Sequence, residues 1–307
     1  YIPPALGPDA ATSYAMELMA DLSDTMDACS SQAVLVTSRE EALAAQAKGL
    51  IAVFLGLENG SAIRKSLPLL RLYRKMGVRY MTLAHSAHND ICDSCSPTQP
   101  RWGGLSPFGR EVVAEMNRLD MLIDVSHISD AAFYDVLKYS EKPVVATHSC
   151  CRALAGHKRN MSDEMICALA EKGGVIQINF YPVFLDDGFA ARLSASGIEA
   201  RGEAVEAEFI GDPSDPAKRA AWYAVEDELA AMERPSYKRI ADHIDHAVSL
   251  VGPEHVGLGS DFDGISVTPS GMEDISHFSI ILNELARRGY SDSDIGKIAG
   301  GNFLNLL

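Results

Sequence analysis

The chain has 307 residues, and its 42 acidic side chains outnumber its 27 basic ones, which gives a formal net charge of −15. A surface this negative repels polyphosphate and argues against nucleic-acid binding, and no apolar run reaches the ~18 residues that a membrane-spanning helix needs. Hydrophobic residues make up 47% of the sequence, which is typical of a folded protein with a sizeable core. At ~150 residues per domain, this length allows two ordinary domains or one large α/β barrel.

The first residues, YIPPALGPDAATSY, contain no initiator methionine, no signal peptide and no recognisable first element. We therefore expect the polypeptide to begin upstream of Tyr1. A missing targeting signal is then uninformative about the compartment in which the protein works.

Six cysteines are too few to build a disulfide-dependent fold in a chain of this length. Cys92 and Cys95 form a CxxC without a second CxxC, and we interpret them as loop thiols or one local disulfide rather than a zinc site. Cys150 and Cys151 are interpreted as small packing residues after a strand.

Short runs rich in Val, Ile and Leu alternate with amphipathic stretches along the chain. Nearly continuous apolar runs are typical of strands in a parallel sheet that is covered on both faces. The predicted strands span residues 33–36, 51–56, 79–84, 121–126, 143–148, 174–180 and 255–260.

Helix signals lie between these strands. Serine caps mark three helix starts: Ser38 opens a capping box, Ser106 precedes a proline, and Ser162 precedes two acidic residues. Two further helices are predicted over residues 236–252 and near 273–288.

Strand and helix alternate about seven times, which predicts repeated βαβ units and an α/β fold. Seven units and a missing start predict a single (β/α)8 TIM barrel over residues 1–307, apparently without its first strand in this chain, with a doubly wound sheet as the alternative. Residues 181–235 break the alternation and predict a helical excursion packed over the barrel.

Five predicted strands are each followed by a histidine or a carboxylate. The residues are Glu58, His85, His127, His148 and Asp261. A single histidine at a strand end is more often a hydrogen-bonded structural residue, but the carboxyl ends of barrel strands share one rim, where active sites are assembled. Five such residues together predict a metal or catalytic cluster, with donors suited to Zn²⁺.

The other histidines are assigned no role in this cluster. His243 and His246 are predicted to lie on a solvated helix face beside acidic residues. His88 and Asp90 form an H-x-D motif, but a long loop holds a metal less rigidly than strand ends do. The remaining histidines are His157, His255 and His277.

Almost the whole chain resembles the membrane (renal) dipeptidases and their bacterial relatives, the M19 metallopeptidases of the amidohydrolase-like TIM barrels. The matching stretches are GLENG (56–60), RYMTLAH (79–85), GLSPFGREVVAEMNRLDMLIDVSH (104–127), PVVATHS (143–149), the Arg-Asn of HKRNMSDEM (157–165), GGVIQINFYP (173–182), HIDHAVSLVGPEHVGLGSDFDG (243–264) and GGNFLNLL (300–307). The resemblance implies a zinc-dependent dipeptidase that hydrolyses the amide bond of dipeptides through a metal-bound hydroxide.

The resemblance implies metal ligands at three positions. Glu58 resembles the carboxylate that bridges two zinc ions, and His127 and His148 resemble the imidazole ligands of one of them. The family holds its other zinc with a His-x-Asp at the end of the first barrel strand, which this chain lacks. We therefore expect two zinc ions in the complete protein and at most one well held by this chain.

The resemblance also implies catalytic and substrate-binding residues. His85 is similar to the residue that contacts the scissile carbonyl or its oxyanion, and Asp261 to the carboxylate that transfers the proton. Arg159 matches the side chain that pairs with the free carboxylate of the substrate, and Tyr181 is placed beside it among the substrate-binding residues. Phe184 stands where relatives can carry a tyrosine that faces the ligand.

Two other functions stay open at this point. One is a tailoring amidohydrolase that acts on a peptide-like metabolite or a D-residue dipeptide, and the other is a catalytically inactive barrel used for binding. The expected partners are a small dipeptide substrate and a second copy in a homodimer. The sequence does not fix the compartment, although an extracytoplasmic location such as the periplasm is preferred to a cytoplasmic one.

Overall fold

The structure, a computed structural model, describes residues 1–212 and 214–307. The chain divides into two compact units. Unit 1 comprises Tyr1–Thr147, Glu164–Ile176 and Gly300–Leu307, and unit 2 comprises His148–Asp163 and Gln177–Ala299.

Strands and helices alternate along most of the chain. The strands are β1 (Ala33–Leu35), β2 (Ile51–Val53), β3 (Leu55–Glu58), β4 (Val78–Thr82), β5 (Leu122–Asp124), β6 (Val145–Ser149), β7 (Val175–Asn179) and β8 (Val256–Gly259). The helices are α1 (Pro8–Ala28), α2 (Arg39–Ala47), α3 (Leu67–Lys75), α4 (Pro107–Arg118), α5 (Asp130–Tyr139), α6 (Asp163–Glu171), α7 (Pro182–Leu185), α8 (Asp187–Ser196), α9 (Ile198–Gly211), α10 (Pro216–Ala230), α11 (Lys238–Val251), α12 (Phe278–Arg287), α13 (Asp292–Gly296) and α14 (Asn302–Leu304). Short 3₁₀ turns cover Gly60–Ile63, Pro253–His255 and Ile275–His277, and a π-helical turn covers Lys297–Gly301.

Unit 1 is built on parallel strands, which confirms the predicted α/β class. Strands β1 and β2 form a separate parallel pair, and β3, β4, β5 and β6 pair in parallel in that order. The predicted strand over 51–56 is therefore two strands. The register shifts at Gly56, where the ring of Tyr80 occupies the space that a side chain would need.

The expectation that no element lies near the beginning of the chain is wrong, because the long helix α1 covers Pro8–Ala28. Pro8 stands in the first turn, where its missing N–H is not needed, and Asp9 is favoured beside the positive end of the helix. The buried positions of α1 hold only alanines, Ala11 and Ala15. A helix face without large apolar side chains gives little periodic signal, and this is why the pattern did not show it.

The predicted caps are present in unit 1. The Ser38 hydroxyl accepts from the backbone N–H of Glu41 at 3.2 Å, and the Ser106 hydroxyl accepts from that of Gly109 at 2.9 Å. These bonds satisfy N–H groups that lack partners in the first turn of a helix. Apolar strand residues then pack with the end of the chain, as Leu122, Val145 and Val175 do against Phe303 and Leu306.

Unit 2 contains the ends of β6 and β7, the strand β8 and the helices made by the stretch 181–235. That stretch forms α7, α8, α9 and α10 within the described residues, as predicted, and Pro213 lies outside them. The helices share a small core of Phe189, Leu193, Ile198, Val225 and Leu229, against which Tyr181 packs. Within the described ranges, no helix is both long and apolar enough to cross a membrane.

Candidate functional site

Unit 1 brings together three of the predicted site residues: Glu58, His85 and His127. Each offers one ligand atom, and these atoms lie within 4.8 Å of one another. Nε2 of His127 lies 3.2 Å from Oε1 of Glu58, and Nε2 of His85 lies 3.9 Å from the same oxygen. The two imidazole rings are 4.1 Å apart between centroids.

Backbone contacts hold each of these residues where its strand ends. Glu58 is the last residue of β3, and its carbonyl accepts from the N–H of Ile2 at 3.0 Å. His85 follows β4, and its carbonyl accepts from the Ser94 hydroxyl. His127 follows β5 with a φ of 69°, and its carbonyl accepts from the N–H of Cys95 at 2.9 Å. The left-handed conformation is strained for a residue with a side chain, and such strain is concentrated at functional sites.

A buried carboxylate, Asp124, ties together the strands that lead to these residues. Its Oδ2 accepts from the hydroxyls of Thr82 and Thr147 at 2.6 and 2.7 Å, and its Oδ1 accepts from the N–H groups of Ser126 and Thr147 at 3.0 Å each. Four donors compensate for burying a charge. Asp124 thereby fixes the end of β5 immediately before His127.

The donor set of unit 1 suits a divalent transition metal. One carboxylate oxygen and two imidazole nitrogens are ligands that Zn²⁺ takes in catalytic sites. Among the described residues, this is the group of His, Cys, Asp and Glu side chains found close enough to hold an ion. It includes His85, which the resemblance assigned to the substrate rather than to the metal.

Unit 2 places His148 and Arg159 together. His148 lies in β6, and its carbonyl accepts from Nη2 of Arg159 at 3.1 Å, while the Ser149 hydroxyl donates to the carbonyl of Arg159 at 2.9 Å. The guanidinium of Arg159 lies 5.4 Å from the centre of the Phe184 ring, within cation–π range. The Phe184 ring therefore contacts the guanidinium of Arg159.

His157 belongs to this arrangement, although no role was predicted for it. Its Nδ1 accepts from the N–H of Arg159 at 3.2 Å, and its ring lies 4.7 Å from that of Phe184. Burial, with help from the positive charges of Arg159 and Lys158, lowers the pKa of His157 to about 4. The imidazole is therefore neutral near pH 7 and stays an acceptor.

Asp261 and Tyr181 also meet in unit 2, through Asn179. The Asn179 side chain donates to Oδ2 of Asp261 at 3.0 Å and accepts from the backbone N–H of Tyr181. Asp261 has a φ of 60°, so it adopts the same left-handed backbone conformation as His127 in unit 1. Burial and the nearby Glu199 raise the pKa of Tyr181 to about 12, so its hydroxyl keeps its proton at neutral pH.

The prediction of a solvated face for His243 is wrong. His243 is fully buried, its Nδ1 accepts from the N–H of Cys151 at 3.1 Å, and its Nε2 lies 3.1 Å from the carbonyl of Leu185. The sequence DHIDH did not reveal this, because His243 lies on the buried face of α11 between two aspartates that are only partly buried. His246 is half-buried and pairs with Asp163 at 2.8 Å.

The loop motif at His88 has a structural role. Its Nε2 donates to the carbonyl of Gln99 at 2.8 Å, and its Nδ1 accepts from the N–H of Ser94 at 3.0 Å. Cys92 and Cys95 do not form a disulfide, so of the two interpretations the structure supports loop thiols. Burial holds the pKa of Cys92 far above its usual range.

Sequence reasoning missed the two buried polar residues that organise the groups, Asp124 and Asn179. Each was hidden inside an apolar strand, MLIDVS for Asp124 and GVIQINF for Asn179. The signal was available, because a polar side chain in a strand covered on both faces must find hydrogen-bond partners there. Asp124 and Asn179 each find them next to a predicted site residue.

Comparisons with known proteins identify the family of this chain. The family model described as membrane dipeptidase (peptidase family M19) matches residues 1–307. Dipeptidase aclJ of Aspergillus oryzae is 36% identical over 84% of this chain and 51% of its own length, and dipeptidase verJ of Clonostachys rogersoniana is 34% identical over 84% and 55%. The chain thus spans about half the length of these relatives.

Solved structures share the fold. The probable dipeptidase PvdM from Pseudomonas aeruginosa superimposes with a TM-score of 0.83 at 29% identity, over 100% of this chain and 81% of PvdM. A structure described as dipeptidase AC, a metallopeptidase of family M19, gives a TM-score of 0.78 at 24% identity, over 100% of this chain and 77% of its own. With the family model matching from the first residue to the last, the chain belongs to peptidase family M19, the membrane dipeptidases.

Proposed function

We propose that this chain carries the catalytic residues of a zinc-dependent dipeptidase, an enzyme that hydrolyses the amide bond of a dipeptide. The observation that carries the proposal is the cluster of Glu58, His85 and His127, whose ligand atoms lie within 4.8 Å of one another. The family and the names of the relatives support the same activity.

Glu58, His127 and His148 are the proposed zinc ligands, and the cluster adds His85 as a neighbour able to contact the same ion. A bound zinc ion supplies Lewis acidity, which activates water and polarises a carbonyl. Carboxylate and neutral imidazole fit this role, because both offer electron pairs to a cation. His85 also offers an N–H that stabilises negative charge on the carbonyl oxygen of the substrate.

Asp261 is proposed as the general acid–base. Its carboxylate accepts the proton of the attacking water and returns it to the nitrogen of the leaving amine, so one residue serves both halves of the hydrolysis. Its carboxylate is held by the amide of Asn179 at 3.0 Å, which gives the proton acceptor a fixed direction.

Arg159 is proposed to bind the free carboxylate of the dipeptide. A guanidinium binds a carboxylate with two parallel hydrogen bonds, and in a dipeptide that carboxylate lies one residue beyond the scissile bond. The Phe184 ring lies against the guanidinium of Arg159, and His157 accepts from the backbone N–H of Arg159. Neutral His157 adds no competing charge. Such a site prefers dipeptides to longer chains.

The test is hydrolysis by the purified protein with Zn²⁺ or after removal of metal by a chelator. The panel contains L,L- and L,D-dipeptides, their amidated forms, cyclic dipeptides and a tripeptide, with released amine as the readout. We expect zinc-dependent cleavage of linear dipeptides with a free carboxylate. Cleavage of cyclic or amidated compounds alone would support a tailoring amidohydrolase, and zinc binding without hydrolysis would support an inactive binding protein.

A further inference from the structure

Asn179, the last residue of β7, is fully buried and contacts three other parts of unit 2. Its Nδ2 donates to Asp261, its Oδ1 accepts from the N–H of Tyr181, and its backbone carbonyl accepts from the thiol of Cys150 at 3.3 Å. We infer that Asn179 is a positioning residue that fixes both the carboxylate of Asp261 and the backbone at Tyr181. The catalytic role of Asp261 rests on the proposed function, and the substrate-binding role of Tyr181 rests on the resemblance to the dipeptidases.

The orientation of the Asn179 amide is determined by its partners. A backbone N–H only donates, so Oδ1 must face Tyr181, and Nδ2 must then face Asp261, whose ionised carboxylate only accepts. Each end of the amide therefore has a different function. Asparagine meets both requirements, whereas aspartate keeps the acceptor and loses the donor, and leucine loses both.

The backbone around Asp261 is held by further contacts. Asp261 has a φ of 60°, its carbonyl accepts from the N–H of Gly264 at 2.9 Å, and its carboxylate fills the space where Gly264 would carry a side chain. The next residue, Phe262, packs edge-on against Phe180 with ring centres 5.8 Å apart. The backbone is thus anchored on both sides, and the amide of Asn179 directs the carboxylate.

Gln177 provides a matched control in the same strand. It stands two residues before Asn179 and carries the same amide group, whose Nε2 donates to the carbonyl of Leu258 at 3.0 Å. Both amides connect β7 with the region of β8. This hydrogen bond of Gln177 goes to a backbone carbonyl, so Q177L removes a similar bond that does not involve a proposed catalytic residue.

The first experiment compares N179L, N179D and Q177L in the full chain by steady-state kinetics, zinc content and thermal unfolding. For both Asn179 variants we expect kcat to fall about 10- to 100-fold, the usual effect of losing an orienting partner, with zinc content near that of wild type. KM should stay near that of wild type in N179D, which keeps the acceptor for Tyr181, and should rise in N179L, which loses it. Q177L is expected to keep its kcat although it unfolds at a lower temperature. Equal kcat values in N179L and Q177L would overturn the inference.

A second readout does not depend on catalysis. Amide hydrogen exchange at Tyr181 is expected to be faster in N179L and unchanged in N179D and Q177L, because only leucine removes the acceptor. Crystal structures of both Asn179 variants are expected to show the Asp261 carboxylate turned away. Unchanged exchange in N179L together with an unmoved Asp261 would overturn the inference, whereas a wild-type chain without dipeptidase activity would overturn the proposed function alone.

Discussion

The two units hold their site residues by different physical means. In unit 1 Glu58, His85 and His127 contact one another, which is an arrangement that a cation stabilises because all three offer electron pairs. In unit 2 Asp261 and Arg159 contact neutral amides, carbonyls and rings instead. Under the proposed function, unit 1 contributes the clustered metal ligands, and unit 2 contributes His148 together with the residues proposed for proton transfer and substrate recognition. We expect substitutions in the two groups to have different effects.

The largest effect is expected in unit 1, for H127A. H127A removes a proposed zinc ligand, one of two clustered imidazoles, so we expect zinc content and kcat both to fall, kcat by about 10³-fold or more. The measurements are elemental analysis after dialysis and dipeptide hydrolysis. H277A is the control, because His277 pairs with its sequence neighbours Glu273 and Asp274. Full zinc content in H127A would remove His127 from the metal centre.

In unit 2, D261N should lower kcat while leaving zinc in place, unlike H127A. Asparagine has the shape of aspartate and tolerates the φ of 60°, so the fold should persist. Loss of a general acid–base lowers the rate by about 10²- to 10⁴-fold. If D261N keeps the zinc content and the unfolding temperature of wild type but has a reduced kcat, Asp261 acts in catalysis and not in metal binding. A D261N protein that loses zinc would show that Asp261 acts as a ligand.

The sequence predicted the positions of several strands, but not which faces of the helices are buried. Apolar runs predicted β4, β5 and β7 within a few residues, because a strand covered on both faces must be apolar throughout. Helix α1 was invisible because its packing uses alanines, and the burial of His243 was hidden by the aspartates beside it. The local sequence pattern shows which residue types a helix contains, but it does not show which face of the helix packs against the rest of the protein.

The site residues were likewise predicted only in part. Strand ends pointed to Glu58, His85 and His127 as neighbours, since parallel strands end at one edge. The hydrogen bonds of Asp124 and Asn179 were not predicted, because they connect residues 23 and 82 positions apart along the chain. Only a folded structure supplies contacts at such separations.

A smaller effect is expected for R159A, which should raise KM rather than lower kcat. A charged hydrogen-bonded pair is worth about 1.5–3 kcal/mol, so KM for linear dipeptides should rise about 10- to 100-fold. The preference for a free carboxylate over its amide should shrink by the same factor. R152A is the control from the same loop, since Arg152 donates to the carbonyl of Asn160 at 2.8 Å. An unchanged KM would exclude Arg159 from substrate binding.

The smallest effect concerns the acid stability of unit 2 and arises from His243. Its Nδ1 accepts from Cys151 and its Nε2–H donates to Leu185, so folding requires the neutral ring. Burial is the main cause that lowers its pKa to about 4, from 6.5 in the unfolded chain, with Arg239 and His246 acting in the same direction and Asp242 and the Leu185 contact opposing them. At pH values between about 4 and 6.5, His243 is protonated in the unfolded chain and neutral in the folded protein. The stabilisation is therefore complete above pH 6.5 and is lost as the pH falls towards 4.

Urea unfolding at pH 7 and pH 4.5 measures this loss directly. For wild type we expect His243 to account for a decrease of about 2 kcal/mol between the two pH values, because each pKa unit corresponds to 1.36 kcal/mol. H243Q should be less stable than wild type at pH 7 and should show a smaller decrease on acidification. H246Q serves as the control, since His246 is half-buried and pairs with Asp163. If H243Q and wild type lose equal stability between pH 7 and pH 4.5, His243 takes up no proton on unfolding, and its buried bonds to Cys151 and Leu185 do not depend on the neutral ring.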